Sequence, residues 1–326
     1  MLCVYLRETD PAFNLAAEEH LFSNYEDDIF MLWRNRQSII VGKHQNTNAE
    51  INIDFVRENG IPVIRRMSGG GAVFHDLGNV NYTFITTSGE KMAIDFRRFT
   101  EPILEVLREL GVDARFEGRN DLTIGGSKFS GNAQYIRRRR ILHHGTLLFS
   151  SVMNDLTSAL KVNPLKYRDK SVKSVRSRVT NISEHLDKGI SVTDFIERIM
   201  DHIIRTNENT ERYELGQRDI EAISGLREKK YATWEWNYGE SPDYSFRKVS
   251  RTGGGNIEVM LDVQEGTICG VKIYGDFFGI RDISDIEERL VGVKHERNAI
   301  GMRIQELRME DYVAGSTREE FVDAMF

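Results

Sequence analysis

The chain has 326 residues, of which 40% are hydrophobic, so it is long enough to bury a substantial core and disorder is not expected. Its net charge of −6 and its pI near 5.8 argue against a protein that binds nucleic acid through the phosphates. Its two cysteines, Cys3 and Cys269, cannot build a disulfide framework or a clustered thiolate metal site.

The amino terminus lacks a basic start followed by a sustained apolar stretch. No apolar run in the sequence approaches the length that spans a bilayer. We therefore expect a soluble, cytoplasmic protein without a membrane partner.

The first predicted element is a helix after Asp10-Pro11, in which Phe13, Ala17 and Leu21 are spaced by four residues. Pro is tolerated in the first turn of a helix and Asp caps its start, so we expect a structural helix with one apolar face. Short strand-like runs punctuated by Gly, Asn and Asp follow at 29–33, 38–41, 62–64, 71–74 and 81–85.

A second long helix is predicted over 95–110, because apolar residues recur there on a helical period and Gly111 follows as a stop. Further strands are expected at 122–124, 128–130 and 146–149, and further helices over 154–160 and 192–205. Strands and helices do not alternate strictly, which favours an α+β fold over a doubly wound parallel sheet.

A change of pattern after Trp234-Glu235-Trp236-Asn237 predicts a second domain. A stretch containing Gly, Ser and Pro leads into three strand-like runs at 246–249, 256–263 and 267–274. We therefore divide the chain into a large domain over 1–244 and a small α+β domain over 245–326.

The strongest local signal is a triple-glycine loop, Arg65-Arg66-Met67-Ser68-Gly69-Gly70-Gly71-Ala72-Val73-Phe74-His75-Asp76, between two strand-like runs. Successive glycines expose backbone N–H groups and permit close approach by an anion or a flat ring. No Gly-Lys-Ser/Thr follows and the loop leads into a strand, so it is neither a Walker phosphate loop nor a dinucleotide fingerprint. A bare glycine triplet is most simply a hairpin turn, which is how we interpret Gly253-Gly254-Gly255. The arginines and polar residues around the first triplet instead favour a site for a polyanion.

A second motif is Gly125-Gly126-Ser127-Lys128-Phe129-Ser130-Gly131-Asn132-Ala133, preceded by Asp121. A lysine flanked by small residues can reach a bound carboxylate and phosphate, and an aspartate can hold a divalent cation. Each of the two is an ordinary surface residue when taken alone. The functional interpretation rests on this motif occurring together with the glycine loop.

Two further segments carry polar chemistry. The neighbours His143 and His144 point to opposite faces of a strand, so at most one of them faces the site. The segment Lys173-Ser174-Val175-Arg176-Ser177-Arg178-Val179-Thr180-Asn181 is cationic and rich in hydroxyls. On composition alone, a loop that closes over phosphates and a solvated basic loop are equally compatible with it.

With these motifs the sequence resembles the lipoate–protein ligase A family, in the fold group that also contains biotin protein ligases and octanoyltransferases. The resemblance extends from the helix around Asn14-Leu15-Ala16-Ala17-Glu18-Glu19 through the glycine loop and the cationic segment into the small domain. It implies a large mixed-sheet catalytic domain of the biotin/lipoate ligase type. It also implies that ATP activates lipoate as lipoyl-AMP and that the lipoyl group then passes to a lysine of a partner protein.

The resemblance further implies ATP and Mg²⁺ as co-substrate and activator, lipoate as substrate, and no tightly bound prosthetic group. The implied acceptors are lipoyl domains of 2-oxo-acid dehydrogenase complexes and the glycine-cleavage H protein. The catalytic lysine of the family matches Lys128, by its place in Gly-x-Lys-x-Ser-Gly-x-Ala.

The other site residues combine this match with the chemistry of the motifs. The expected ATP-binding residues are Arg66, Gly71, Ala72, Val73, Phe74, Lys128, Ser177 and Arg178. The expected substrate-binding residues are Ser68, Gly69, Gly70, Gly71, Lys128 and His144, with Asp121 as metal ligand. Asp121 and His144 are alternative acceptors for the proton of the target lysine, and Val41 and Val73 are candidate linings of an apolar slot.

Three other functions compete with this one. An ATP-independent octanoyl or lipoyl transferase would use a cysteine thioester, but Cys3 and Cys269 lie outside the motif region. A biotin ligase would carry a loop of alternating arginine and glycine, which this sequence lacks. A non-catalytic protein that binds an acyl-adenylate would keep the loop and release no pyrophosphate.

Overall fold

The computed structural model describes residues 1–45, 47–88, 94–152, 159–160, 179–187, 189–238, 246–264 and 267–326. In the described residues up to 238, the strands are β1 Leu2–Leu6, β2 Ile29–Trp33, β3 Ser38–Val41, β4 Val63–Arg65, β5 Val73–His75, β6 Asn79–Thr87, β7 Ala114–Glu117, β8 Asp121–Ile124, β9 Ser127–Arg137, β10 Arg140–Leu148 and β11 Glu211–Arg212. The helices in the same part are α1 Pro11–Asn24, α2 Thr47–Glu50, α3 Ile53–Glu58, α4 Arg97–Glu109, α5 Val192–Thr206, α6 Gln217–Leu226 and α7 Trp234–Asn237. A 3₁₀ turn at Ile182–His185 and a π-helical turn at Arg227–Tyr231 complete it.

Eight of these strands form one mixed sheet in the order β11-β1-β2-β6-β10-β9-β8-β7. The strand β1 runs parallel to β2 and β11, and the remaining neighbours are antiparallel. A second sheet in the order β4-β3-β5 carries the chain into and out of the glycine loop. The mixed sheet and the separate helices confirm the predicted α+β class.

Helices cover both faces of the large sheet. On one face α4 and α5 pack through residues such as Phe99, Ile103 and Phe195. On the other face α1 packs through Leu15 and Leu21. Because β2 is covered on both sides, all five of its residues are buried, which explains its continuous apolar sequence.

The helix α1 begins where the sequence predicts. The Asp10 side chain accepts a hydrogen bond from the Ala12 N–H at 3.2 Å, and Pro11 occupies the first turn. Its inner face contains a buried acidic residue, Glu18, beside the apolar ones. The prediction of a purely structural helix therefore missed a polar group that faces the interior.

The C-terminal region, residues 246–326, has its own core around Ile257, Val259 and Phe321. Its strands β12 Phe246–Thr252, β13 Gly255–Gln264 and β14 Thr267–Gly275 form an antiparallel sheet. Its helices are α8 Ser284–Leu290, α9 Arg297–Arg303, α10 Met309–Tyr312 and α11 Arg318–Asp323. The glycine triplet at 253–255 forms the predicted hairpin turn between β12 and β13.

Two predictions concern residues that the structure does not describe. The division at 244/245 lies within 239–245, so the two-domain boundary stays a prediction. Most of the helix predicted over 154–160 lies there as well. Within the described ranges, no helix has the length and apolarity needed to cross a membrane.

Candidate active site

The glycine loop connects β4 to β5 around the buried guanidinium of Arg66. One terminal nitrogen of Arg66 donates to the carbonyl oxygens of Gly69 and Gly71 at 2.6 and 2.9 Å, and the other donates to that of Ile40 at 3.1 Å. Gly70 has a φ of 92°, a left-handed conformation that favours glycine. Burial lowers the pKa of Arg66 to about 10, so the group stays charged at neutral pH. A buried cation therefore fixes the shape of this loop.

The neighbouring Arg65 has a different role. It is also buried, and its side chain donates to the backbone carbonyls of Gly42, Lys43 and Gln45 at 3.0, 3.1 and 2.7 Å. It also donates to the carbonyl of Trp236 at 2.9 Å. Arg65 therefore ties two chain segments together, and we assign it no role in binding a polyanion.

A chain of hydrogen bonds between buried side chains connects the loop to the large sheet and to α1. The Ser68 hydroxyl lies 2.6 Å from Nε2 of His144, and Nδ1 of His144 lies 3.0 Å from a carboxylate oxygen of Glu18. That oxygen also accepts from the Thr83 hydroxyl at 2.6 Å, and Thr83 accepts from the Trp33 indole at 3.1 Å. The chain joins α1, β2, β6 and β10 to the glycine loop, so four elements determine where Ser68 lies.

The adjacent histidines face opposite sides of β10, as predicted. His144 belongs to the hydrogen-bonded chain, whereas His143 stacks on Phe99 at a ring distance of 4.9 Å. Burial holds the pKa of His143 well below its usual range. His143 is therefore a neutral core residue.

Lys128 lies near the start of β9, where the register between β8 and β9 shifts. Such bulges commonly redirect a side chain next to an active site. The Lys128 ammonium forms an ion pair with Asp121 at 2.7 Å, and both groups are partly exposed. The backbone N–H of Thr180 donates to the Lys128 carbonyl at 2.9 Å. The last residues of the cationic segment thus lie beside Lys128, whereas Ser177 and Arg178 are outside the described residues.

Two cavities meet at Lys128. The smaller cavity, of about 140 Å³, has the apolar side chains of Leu15, Trp33 and Ile40 in its wall. The larger cavity, of about 640 Å³, contains Glu117 in its wall. The residues that line both cavities are Ala72, Val73, Lys128, Gly131 and Thr146. This arrangement suits an apolar chain in one cavity and a larger polar ligand in the other, with their reactive ends beside the lysine.

The structure brings most of the predicted site residues to these cavities. The smaller cavity is lined by Arg66, Gly70, Gly71, Ala72, Val73, Lys128 and His144. The larger cavity is lined by Phe74 and Asp121 together with Ala72, Val73 and Lys128. Ser68 and Gly69 are buried within the loop and line neither cavity. The suggested lining residue Val41 packs into a different cluster, because strand alternation directs its neighbour Ile40 into the cavity instead.

Sequence reasoning missed several residues of the smaller cavity and its support. Its wall also contains Leu15, Trp33, Asn81, Asn120, Asn132 and Thr146. It contains His75 as well, which the sequence indicated only as one of the polar residues around the glycine loop. Glu18 was detectable, because it is an acidic residue three positions from both Leu15 and Leu21 on an apolar helix face. Trp33 and Asn81 are opposite each other on paired strands, a relationship that the sequence does not reveal.

The C-terminal region packs directly on the glycine loop. The Gly70 N–H donates to the Phe277 carbonyl at 3.3 Å. The Phe278 ring packs against Phe96 and Ala133, and the Arg119 guanidinium lies 4.8 Å from its centre. Residues that follow β14 therefore complete the environment of the loop.

Neither cysteine belongs to the site. Cys3 is buried in β1, and burial raises its pKa to about 11. Cys269 is exposed in β14, and neither residue lines the two cavities at Lys128. Both positions disfavour a cysteine-thioester mechanism.

Two family descriptions match this chain. "Lipoyl protein ligase A/B catalytic domain" matches residues 10–204, and "Bacterial lipoate protein ligase C-terminus" matches residues 241–325. The lipoate-protein ligase LplJ of Bacillus subtilis is 43% identical over 321 residues, which is 97% of each chain.

The structure also resembles solved structures of lipoate ligases. Plasmodium falciparum LipL1 in complex with lipoate has a TM-score of 0.81 and 26% identity, and the match covers 99% of this chain and 97% of that one. A bipartite lipoate protein ligase with its E2 lipoyl domain, from Thermoplasma acidophilum, has a TM-score of 0.65 and 30% identity. That match covers 75% of this chain and 98% of the other. A lipoate-protein ligase A bound with ATP has a TM-score of 0.64 and 28% identity, and the match covers 73% of this chain and 99% of that one. With these matches over nearly its whole length, the chain belongs to the lipoate–protein ligase family.

Proposed function

We propose that this chain activates lipoate with ATP to form lipoyl-AMP and transfers the lipoyl group to a lysine of an acceptor protein. The observation that carries the proposal is the meeting of the two cavities at Lys128. The smaller cavity suits the alkyl chain and dithiolane of lipoate, and the larger one suits a nucleotide. The substrate carboxylate and the α-phosphate then meet beside the lysine.

In the first half-reaction the carboxylate oxygen forms a bond to the α-phosphorus, and the bond from phosphorus to the pyrophosphate oxygen breaks. Two anions must approach each other, so fixed positive charge beside them lowers the barrier. Lys128 contacts both reacting groups in this proposal. Arg66 holds the glycine loop in its conformation, and its guanidinium lies in the wall of the smaller cavity, which Lys128 also lines.

The backbone of residues 69–74 closes around the adenylate in this proposal. Ser177 and Arg178 complete the phosphate contacts, an assignment that stays a prediction from the sequence. The contact between Thr180 and Lys128 supports it, because it brings the end of the same segment to the site.

Magnesium fits the residues at the larger cavity. Among the described residues, no group of three or more His, Cys, Asp or Glu side chains forms a metal cage. Mg²⁺ does not require one, because it commonly takes one or two carboxylates together with substrate phosphates and water. Asp121, paired across the strands with Glu117, would hold the ion. A bound Mg²⁺ would offset the charge of the phosphates.

In the second half-reaction the neutral amine of the target lysine attacks the mixed anhydride, and AMP leaves. An unperturbed lysine is protonated at neutral pH, so a base must accept its proton. Both ring nitrogens of His144 already have partners, Ser68 and Glu18. Asp121 is partly exposed in the wall of the larger cavity beside Lys128, and because transfer needs no Mg²⁺ we assign this carboxylate as the acceptor in the second half-reaction.

The acceptors in this proposal are lipoyl domains of 2-oxo-acid dehydrogenase complexes and the glycine-cleavage H protein. The Thermoplasma ligase described with its E2 lipoyl domain supports the first of these. The cytoplasmic location expected from the sequence stays a prediction.

One experiment separates this function from its competitors. We expect purified protein with ATP, Mg²⁺ and lipoate to release pyrophosphate, and the Cys3→Ser/Cys269→Ser double variant to do so at the same rate. Lipoate binding without pyrophosphate release would instead support the non-catalytic protein. Loss of transfer in a correctly folded double variant would support the transferase.

A further inference from the structure

The smaller cavity contains one buried histidine that has no role in the reaction described above. His75 ends β5, is 3% exposed and forms part of the cavity wall. Its ring lies 6.1 Å from that of Trp33, another wall residue. What this side chain offers a ligand depends on which ring nitrogen carries the proton.

Neighbouring amides determine that position. The Asn14 side-chain nitrogen lies 3.0 Å from the backbone carbonyls of Glu8 and Arg34, which can only accept, so its orientation is fixed. Oδ1 of Asn35 lies 2.9 Å from the same nitrogen and shares its two hydrogens with these carbonyls, since the Asn35 NH₂ group could not face another donor. The Asn35 nitrogen must therefore be the group that faces Nδ1 of His75, at 3.1 Å. Nδ1 accepts this hydrogen bond, and the proton of the ring is on Nε2.

The Nε2–H group is left without a partner. It is shielded from solvent and forms no hydrogen bond within the part of the chain that the structure describes. Burial lowers the pKa of His75 to about 3, so the ring is neutral and keeps a single N–H. Nearly all buried donors in proteins have an acceptor. Because other atoms of His75 are in the wall of a cavity, a small shift of the ring on binding would bring Nε2–H to the occupant, which can supply the missing acceptor.

The position of His75 indicates which part of the occupant it meets. Lys128 and Thr146 are in the walls of both cavities, whereas His75 and Trp33 line the smaller one and not the larger one. A substrate whose carboxylate lies at Lys128 and whose tail fills the smaller cavity therefore places that tail against a wall that contains His75 and Trp33. In lipoate that tail is a dithiolane ring, whose sulfur atoms are weak hydrogen-bond acceptors.

We propose that the Nε2–H of His75 donates to a dithiolane sulfur and makes this enzyme select lipoate over acids with purely hydrocarbon tails. His75 is then a specificity-determining residue, and this role rests on the proposed function. Octanoate offers no acceptor there and leaves a buried donor unpaired, which a site built around a hydrogen bond penalises.

The test compares lipoate with its carbocyclic analogue, in which cyclopentane replaces the dithiolane and the shape is nearly kept. We expect kcat/KM for pyrophosphate release to be roughly 10-fold higher with lipoate than with the analogue. The ratio should fall to near one in His75→Phe and be partly restored in His75→Gln, which has an amide donor. A matched control is His143→Phe, which removes an equally buried histidine outside both cavities and should keep the wild-type ratio.

A merely structural role of His75 would slow both acids equally and leave the ratio unchanged, which overturns the inference. A wild-type enzyme that uses lipoate and the analogue with equal kcat/KM also overturns the inference, and this result does not depend on the folding of any variant. If the wild type adenylates neither acid, the proposed function itself fails and this inference fails with it.

Discussion

At the scale of single residues, the site depends on buried charges whose partners are fixed. Glu18 is 2% exposed and accepts hydrogen bonds from Thr83 and His144. A carboxylate has only acceptors, so it requires the proton of His144 on Nδ1 and leaves Nε2 free to accept from Ser68. Glu18 thereby orients the Ser68 hydroxyl in the glycine loop through His144.

The variant Glu18→Gln tests this dependence. The amide can turn its N–H₂ group towards His144, which would move the imidazole proton to Nε2 and remove the acceptor of Ser68. We expect a loss of about 1–3 kcal/mol in the free energy of unfolding, measured in urea, together with a raised KM for lipoate. The control Glu19→Gln weakens a more exposed ion pair with Lys230 and keeps an amide oxygen that can accept from the Tyr231 hydroxyl, so it should cost less than about 1 kcal/mol. Equal effects of the two substitutions would show that the buried chain has no special importance.

Lys128 could be predicted from the sequence because the motif around it matches that of the family, and the structure places it where the two cavities meet. His75 and Asn81 could not, because their role depends on strand pairing and on which neighbouring amides face them. Arg66 was found as a site residue. Its four contacts with loop residues and β3 became evident from the folded backbone.

At the scale of elements, the glycine loop needs its glycines because other backbone segments lie against it. A Cβ atom on Gly69 would lie 2.2 Å from the Phe277 carbonyl oxygen, and one on Gly42 would lie 2.0 Å from the Gly70 carbonyl oxygen. Such separations are far below van der Waals contact, so backbone atoms would have to move. The loop is thus packed between β3 and the C-terminal region.

The variant Gly69→Ala should therefore separate the loop from Phe277. We expect a destabilisation of about 1–3 kcal/mol by thermal unfolding, and slower pyrophosphate release. Gly225→Ala in α6 is the control, since a Cβ there meets no atom within 4 Å, and it should be neutral or slightly stabilising. An unchanged melting temperature for Gly69→Ala would contradict the packing described here.

The strands next to the site were predictable because their apolar runs are short and bounded by turn residues. Ile29–Trp33 and Ser38–Val41 have the predicted bounds. The strand before the glycine loop ends at Arg65, one residue later than predicted, and the strand after it begins at Val73. Hydrogen bonds to β3, which the local sequence does not encode, determine both ends.

At the scale of the whole molecule, the C-terminal region and the large sheet share the site. In the C-terminal region, Phe277 contacts the glycine loop and Phe278 packs against Ala133. Asp282 forms an ion pair with Lys43. No local pattern in the sequence predicted these contacts, because they join residues about 140–240 positions apart.

Arg137 ends β9, and Arg138 and Arg139 form the turn to β10; all three are exposed. Arg140 instead donates to the carbonyls of Glu26 and Asp27 and supports the fold. If an acidic acceptor docks here, replacing the three exposed arginines with Gln should raise the KM for acceptor about 10-fold and weaken its salt dependence. Pyrophosphate release in the absence of acceptor is the internal control and should not change. An equal fall in both activities would exclude a docking role.

Both half-reactions occur at Lys128 in the proposed mechanism, and the intact mass of a lipoyl domain after reaction shows whether they do. The acceptor is incubated with ATP, Mg²⁺, lipoate and either wild type or Lys128→Ala, with unfolding curves to verify that the variant folds. We predict that the wild type adds one lipoyl group and that the variant slows this by at least about 100-fold. A folded Lys128→Ala variant that lipoylates its acceptor at the wild-type rate would contradict the account.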